Sequence, residues 1–177
     1  GLAGSSSAEV IVTRSPGYLL RSDEGAVDHV VLRELAREAR TCENQGRLRD
    51  AVATLERALS LWRGPALNGV DSPLLAAKAV RLDEECLSTL ENLIRIELDL
   101  GEHVRLVGEL QSLVSEYPLR ERIRAQLMLA LHRSGRQAEA LEVYRVGRDH
   151  LAEELGLDPG EELRAADTAE ADFDAAL

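Results

Sequence analysis

Aromatic residues are scarce in this chain, 3% of 177 residues, while hydrophobic residues reach 45%. Ala and Leu supply most of that apolar mass, which favours helix over strand. No apolar run approaches the roughly 20 residues of a membrane span. Gly1 to Ser7 is small and polar, with no basic-then-apolar leader. A cytoplasmic protein with no membrane partner is expected. Only two cysteines occur, Cys42 and Cys86, in separate helical patterns and without CxxC or Cys/His spacing. They read as buried or half-buried thiols in a reducing compartment, rather than as a disulfide or a metal site.

Catalytic signatures are missing as well. There is no Gly-rich phosphate loop with Lys, no GxSxG and no HExxH. His29, His103, His132 and His150 fall on different predicted helices and read as structural. Asp83-Glu84-Glu85 and Glu153-Glu154 are neighbours on helices, where adjacent side chains diverge by about 100°, so they form no paired-carboxylate site. No enzyme activity, cofactor or metal is expected.

Charge is plentiful but uneven. The net charge is −11, which argues against a general nucleic-acid binder. Leu151 to Leu177 holds nine acids and one Arg, whereas Leu119 to Asp149 holds seven Arg against four acids. These blocks read either as solvated helix faces or as surfaces that attract partners or each other.

The strongest internal signal is a repeat. Gly101 and Gly135 lie 34 residues apart, and each opens a helical pattern. An earlier copy opens at Gly46. This is the period of a tetratricopeptide helical hairpin. Counting from each glycine, Ala51, Leu55 and Ala58, then Leu106, Leu110 and Leu113, then Ala140, Tyr144 and Gly147 should pack the second helix of each pair on the first. Ile94 and Met128 stand where a small residue is usual, which predicts altered helix-pair geometry in the second and third copies.

Apolar spacing and breakers predict helices from Asp28 as N-cap to Gly46, over Leu48–Trp62, and from Leu74 to Leu100 after a Ser72-Pro73 start. Further helices are predicted over Glu102–Tyr117, Leu119–Ser134, Arg136–Leu155 and Glu161–Leu177. Trp62 continues the apolar face of its helix, so it reads as core or inter-repeat, with a partner hot spot as the alternative. Residues 1–27 differ. Glu9 to Arg14 is rich in β-branched residues, Ser15-Pro16-Gly17 is a turn, and Tyr18-Leu19-Leu20 resumes an apolar run, which predicts a short β-hairpin. The fold class expected is all-α, a tetratricopeptide-like right-handed stack of helical hairpins. It has about seven helices and a short N-terminal β-hairpin.

The run from Pro118 through L-R-E-R-I-R-A-Q-L-M-L-A-L-H-R-S-G-R-Q-A-E-A-L-E-V-Y to Arg145, and on through L-A-E-E-L-G-L-D-P-G-E-E to Leu163, closely resembles a known family. That family is the bacterial transcriptional activator domain of the Streptomyces antibiotic regulatory proteins. Ala58 to Leu67 and Arg81 to Leu87 add further matches. Thr13 to Leu20 is similar to the last hairpin of the winged-helix DNA-binding domain that precedes the helical one in that family. The resemblance implies two regions, 1–27 as a remnant wing hairpin and 28–177 as the tetratricopeptide-like activator domain. It implies a regulatory and protein-contact role in a transcriptional activator of a secondary-metabolite cluster. Promoter DNA would be read by an upstream domain, and RNA polymerase, another transcription protein or a second copy of the chain would be the protein partner. Arg14 at the hairpin turn is then the candidate for a DNA contact. Arg120, Arg124, Arg145 and Arg148 are the candidates for a partner contact. A generic tetratricopeptide scaffold holding a peptide in its groove is the competing reading.

Overall fold

A computed structural model of the chain describes residues 11–20, 27–69 and 72–166. Strands β1 (Ile11–Arg14) and β2 (Gly17–Leu20) pair antiparallel, with Ile11 opposite Leu20 and Arg14 opposite Gly17. Six helices follow: α1 (Asp28–Asn44), α2 (Leu48–Leu59), α3 (Pro73–Asp99), α4 (His103–Glu116), α5 (Glu121–Arg133) and α6 (Gln137–Leu155). A seventh, α7, is helical over 161–166. The remainder of the acidic helix expected over Glu161–Leu177 lies outside the described residues. No helix among those described is long and apolar enough to cross a membrane, α3 included.

Each hairpin turns at a glycine. Gly46, Gly101 and Gly135 take φ of +74°, +88° and +73° at the α1/α2, α3/α4 and α5/α6 corners, a left-handed conformation that costs a side-chain-bearing residue strain. Apolar spacing then sets the buried faces. Leu32, Leu35, Ala39 and Cys42 of α1 are buried, and so are Ala51, Leu55 and Ala58 of α2. The spacing is three and four residues, as one helix face requires. A larger cluster joins α3 to α7 through Leu98, Leu106, Leu110, Leu127, Leu131 and Leu163. Leu163 is fully buried, so α7 closes the end of this core; burial of one such side chain stabilises by about 1.5–3 kcal/mol. Cys42 is buried, Cys86 is half-buried, and both are free thiols.

Of the expected packing positions, Ala51, Leu55, Ala58, Leu106, Leu110, Ala140 and Gly147 are buried, while Leu113 and Tyr144 are half-buried, and α4 packs chiefly on α5 and not on α3, its expected partner. Ile94 and Met128 are both wholly buried. The backbones of α5 and α6 nevertheless run close together, as do those of α1 and α2, whereas α3 and α4 approach much less closely. The buried faces differ in bulk: α6 buries the small Ala140 and Gly147, whereas α4 buries Leu106, Val107 and Leu110 and takes α5 as its near neighbour.

Several helix ends differ in detail from the sequence reading, among them the start of α5, at Glu121 and not Leu119. Val27, not Asp28, is the N-cap of α1; Asp28 lies in the first turn and accepts from Arg63 Nη2 at 2.7 Å. The helix α2 stops at Leu59, short of Trp62. Leu61 and Trp62 instead donate backbone bonds three residues back, to Ala58 and Leu59, the tightened turn common at helix ends. Ser72 is the N-cap residue of α3, but its hydroxyl makes no capping bond; Pro73 occupies the first turn as expected. The 64–69 loop is pinned where the Ala66 amide donates to Asp83 Oδ1 at 2.8 Å.

An ion pair ties α1 to α3. Arg33 Nε and Nη2 donate to the two Glu85 carboxylate oxygens at 2.6 Å each. These bonds hold the Glu85 carboxyl below its ordinary value of 4.5. A carboxyl whose pKa falls on folding adds stability above its unfolded pKa and loses it as pH drops through the folded value. Glu85→Gln should therefore lower Tm at pH 7, and the deficit should shrink as the pH falls below 4.5 and through the lowered folded-state value. Melts followed by circular dichroism across that range check this. An equal deficit at both ends would remove the pair's charge from the account.

Candidate functional site

The arginine-rich segment from Leu119 to Asp149 was the sequence's best candidate for a contact surface, and the structure divides it in two. Its first half faces inward. Arg120 Nε donates to Glu91 Oε1 at 2.7 Å, and its Nη1 donates to Glu84 Oε2 at 2.6 Å. Glu91 is 1% exposed. The hydrogen bonds to Glu91 raise the Arg120 pKa further above its already high value. Arg122 donates to Asn92 Oδ1 at 3.0 Å. Gln126 sends its amide N–H to the Glu91 backbone carbonyl at 2.7 Å. Together these groups form a polar seam between α3 and α5.

Arg124 goes deeper still. It is 3% exposed and donates to two backbone carbonyls, Val143 O at 3.2 Å and Pro118 O at 2.9 Å. Burial lowers its pKa, although a guanidinium stays charged in proteins. Its path runs over Gly147 of α6, where an added Cβ would sit 2.2 Å from Arg124 Cδ and 2.6 Å from Nε. Only a glycine admits that crossing. The sequence reading marked Gly147 as a packing position but could not name what it packs against. Arg133 also turns inward, to Leu98 O at 2.8 Å, and so meets a carbonyl near the C-terminus of α3. Glu121 accepts from the Gly160 amide at 2.5 Å, fixing the loop before α7.

The second half faces water. Arg145 and Arg148, on α6, have side chains 57% and 52% exposed. Arg145 donates to Glu142 at 2.7 and 2.9 Å and approaches Asp149 at 3.4 Å. Arg148 meets Asp149 at 2.9 Å. These are exposed pairs within one helix, each of small energetic value, and a partner carboxylate can replace them at little cost. Arg14 is the last residue of β1, next to the turn. Trp62 is half-buried, and its indole Nε1 is out of water with no hydrogen-bond partner among the described residues. It borders a cleft of about 760 Å³ shared with Val27, Asp28, Leu61, Pro65 and Cys86.

A family model for the bacterial transcriptional activator domain matches residues 27–169. Regulatory protein AfsR of Streptomyces coelicolor is 48% identical over 151 residues, covering 85% of this chain and 15% of AfsR. Regulatory protein DnrI of Streptomyces peucetius is 38% identical over 157 residues, covering 88% of this chain and 58% of DnrI. Among solved structures, Mycobacterium tuberculosis EmbR in complex with a low-affinity phosphopeptide matches with a TM-score of 0.85 at 30% identity, over 93% of this chain and 44% of EmbR. The chain thus spans less than two thirds of each of these relatives.

The crossing of Arg124 and Gly147 can be tested by a double-mutant cycle. Gly147→Ala should destabilise the chain by about 1–3 kcal/mol, the usual cost of overpacking. In an Arg124→Ala background the clash is gone, and the same substitution should stabilise by about 0.5–1 kcal/mol because Ala is the better helix former. Urea melts of the four proteins supply the numbers. A cost that is the same in both backgrounds would show that the guanidinium is not what the glycine accommodates.

Proposed function

This chain belongs to the bacterial transcriptional activator domain family, and from that premise we propose that it is the regulatory, protein-contacting module of a DNA-binding transcriptional activator. The regulated genes are a secondary-metabolite cluster of the antibiotic type. The observation that carries the reading is the family match over 27–169 together with relatives named as regulatory proteins, AfsR and DnrI. The fold agrees with it. Stacked helical hairpins offer extended surface.

In this reading the boundary lies at residue 27. Residues 1–27 close a winged-helix domain, and 28–177 form the contact module. The Trp62 cleft opens beside that boundary, at Val27 and Asp28, where a preceding domain would find apolar surface. The hairpin Ile11–Leu20 supplies the wing, and Arg14 beside its turn contacts the phosphate backbone or minor groove of promoter DNA. Arg145 and Arg148 contact an acidic surface of RNA polymerase, of another transcription protein, or of a second copy. Arg120 and Arg124 serve the same contact indirectly, by holding α5 against its neighbours. The protein works in the cytoplasm, without a catalytic step.

Two variants of a full-length regulator separate the roles. Arg14→Ala should weaken promoter binding about three- to tenfold and reduce the salt dependence by about one counterion. Arg145→Glu with Arg148→Glu should leave promoter affinity unchanged and lower transcription in a reconstituted assay. Unaltered transcription from the double charge reversal would remove α6 as the contact. Unaltered promoter affinity in Arg14→Ala would remove the wing assignment.

A further inference from the structure

A second cavity lies between α3, α5 and α7, with a volume of about 370 Å³. We propose that it binds a small amphipathic anion, with an apolar body the size of one or two rings and a single carboxylate-like or sulfonate-like group.

The walls set the apolar part. Ala125, Leu129 and Ala166 face the space, and the volume is at the small end of ligand pockets, which run from roughly 300 to 1,000 Å³. The polar part is set by what the wall residues already hold. Arg95 donates to Glu43 at 2.5 Å and to Asp99 at 3.2 Å, so two carboxylates already neutralise it. Arg122 is different. Its hydrogen bond goes to a neutral amide, Asn92. The carboxylate nearest to it, Glu91, stands 3.8 Å away and is bound at 2.7 Å by Arg120. A guanidinium beside an apolar wall with no carboxylate in hydrogen-bond reach favours an anionic group, and charge-assisted bonds to a guanidinium are among the stronger polar contacts. Glu162, on α7, also borders the cavity and repels an anion placed beside it, so the headgroup belongs at Arg122 on α5.

Gln126 stiffens the same wall. Gln126 is 7% exposed, and its amide N–H is committed to the Glu91 carbonyl. That bond fixes which end of the amide is which. Its Oε1 is left buried without a partner among the described residues, and buried acceptors are rarely left so. The inference does not depend on the regulatory reading and stands or falls by its own test.

Fluorescence titration of the full chain with anilinonaphthalene sulfonate, an aromatic anion with an N–H, checks the proposal against its neutral counterpart, phenylnaphthylamine. Saturable binding of one equivalent is expected. Arg122→Gln should weaken the sulfonate about tenfold and leave the neutral dye unchanged, and Arg122→Lys should retain most of the affinity. Ala125→Phe fills the cavity and should block both dyes; Ala166→Phe does so from the other wall if the first variant melts early. Circular dichroism melts identify the folded variants. Binding that does not saturate, or that ignores both the charge change and the filled cavity, overturns the proposal. Equal weakening of both dyes by Arg122→Gln overturns its anionic part.

Discussion

A carboxylate almost wholly out of water joins the second helical hairpin to the third. Glu91 is 1% exposed, and a lone buried charge would cost several kcal/mol or more. It is tolerated because Arg120 reaches it from across the seam at 2.7 Å, while the Gln126 amide takes up the backbone carbonyl of the same residue. These contacts are directional. Leucines on α3 and α5 would pack in several registers, but a guanidinium and an amide meeting one residue define a single one. The seam thus fixes how the hairpins stack. It also places the walls of the α3–α5–α7 cavity, since Arg122 and Gln126 belong to both.

The seam explains why a basic stretch does not make a basic surface. Of the seven arginines between Leu119 and Asp149, Arg120 is held by two glutamates of α3. Arg124 and Arg133 meet backbone carbonyls of other segments. Arginine suits such sites because its planar fork satisfies several acceptors at once and cannot be neutralised. Arg122 lines the cavity, and what remains for a partner is the exposed start and face of α6 carrying Arg136, Arg145 and Arg148. The net charge of −11 is therefore a statement about solubility and partner choice. It does not describe every surface.

Much of the fold was legible in the sequence, for local reasons. Helix corners need φ > 0, so Gly46, Gly101 and Gly135 could be read as corners one at a time. Apolar residues at spacings of three and four mark a buried face without reference to other helices, and Ala51, Leu55, Ala58, Leu106 and Leu110 are all buried. The end of α2 was misread because Trp62 falls on the apolar period although the helix stops at Leu59. Periodicity reports a face, and it cannot show where backbone bonding changes. The fates of Arg120 and Arg124 were not legible. Glu84 and Glu91 lie 36 and 29 residues from Arg120, and nothing in a linear charge count says which acid a given arginine will find. The cavity was invisible for the same reason, as its walls come from three separate helices.

The buried and exposed arginines are nonetheless linked through one glycine. Gly147 must face α5, because Arg124 crosses it at a distance no side chain could share. On an α-helix, Arg145 then lies about 200° away from that inward direction and Arg148 about 100° away. The first is directed to solvent and the second to a flank, in keeping with their exposures of 57% and 52%. Rotating α6 to bury either would drive the backbone at Gly147 off Arg124 and break the guanidinium's bonds to the Pro118 and Val143 carbonyls. The internal cation therefore sets the direction of the external ones. A substitution deep in the α5–α6 contact should act on any partner of this face without touching it, because it changes where Arg145 and Arg148 point while leaving their charge intact.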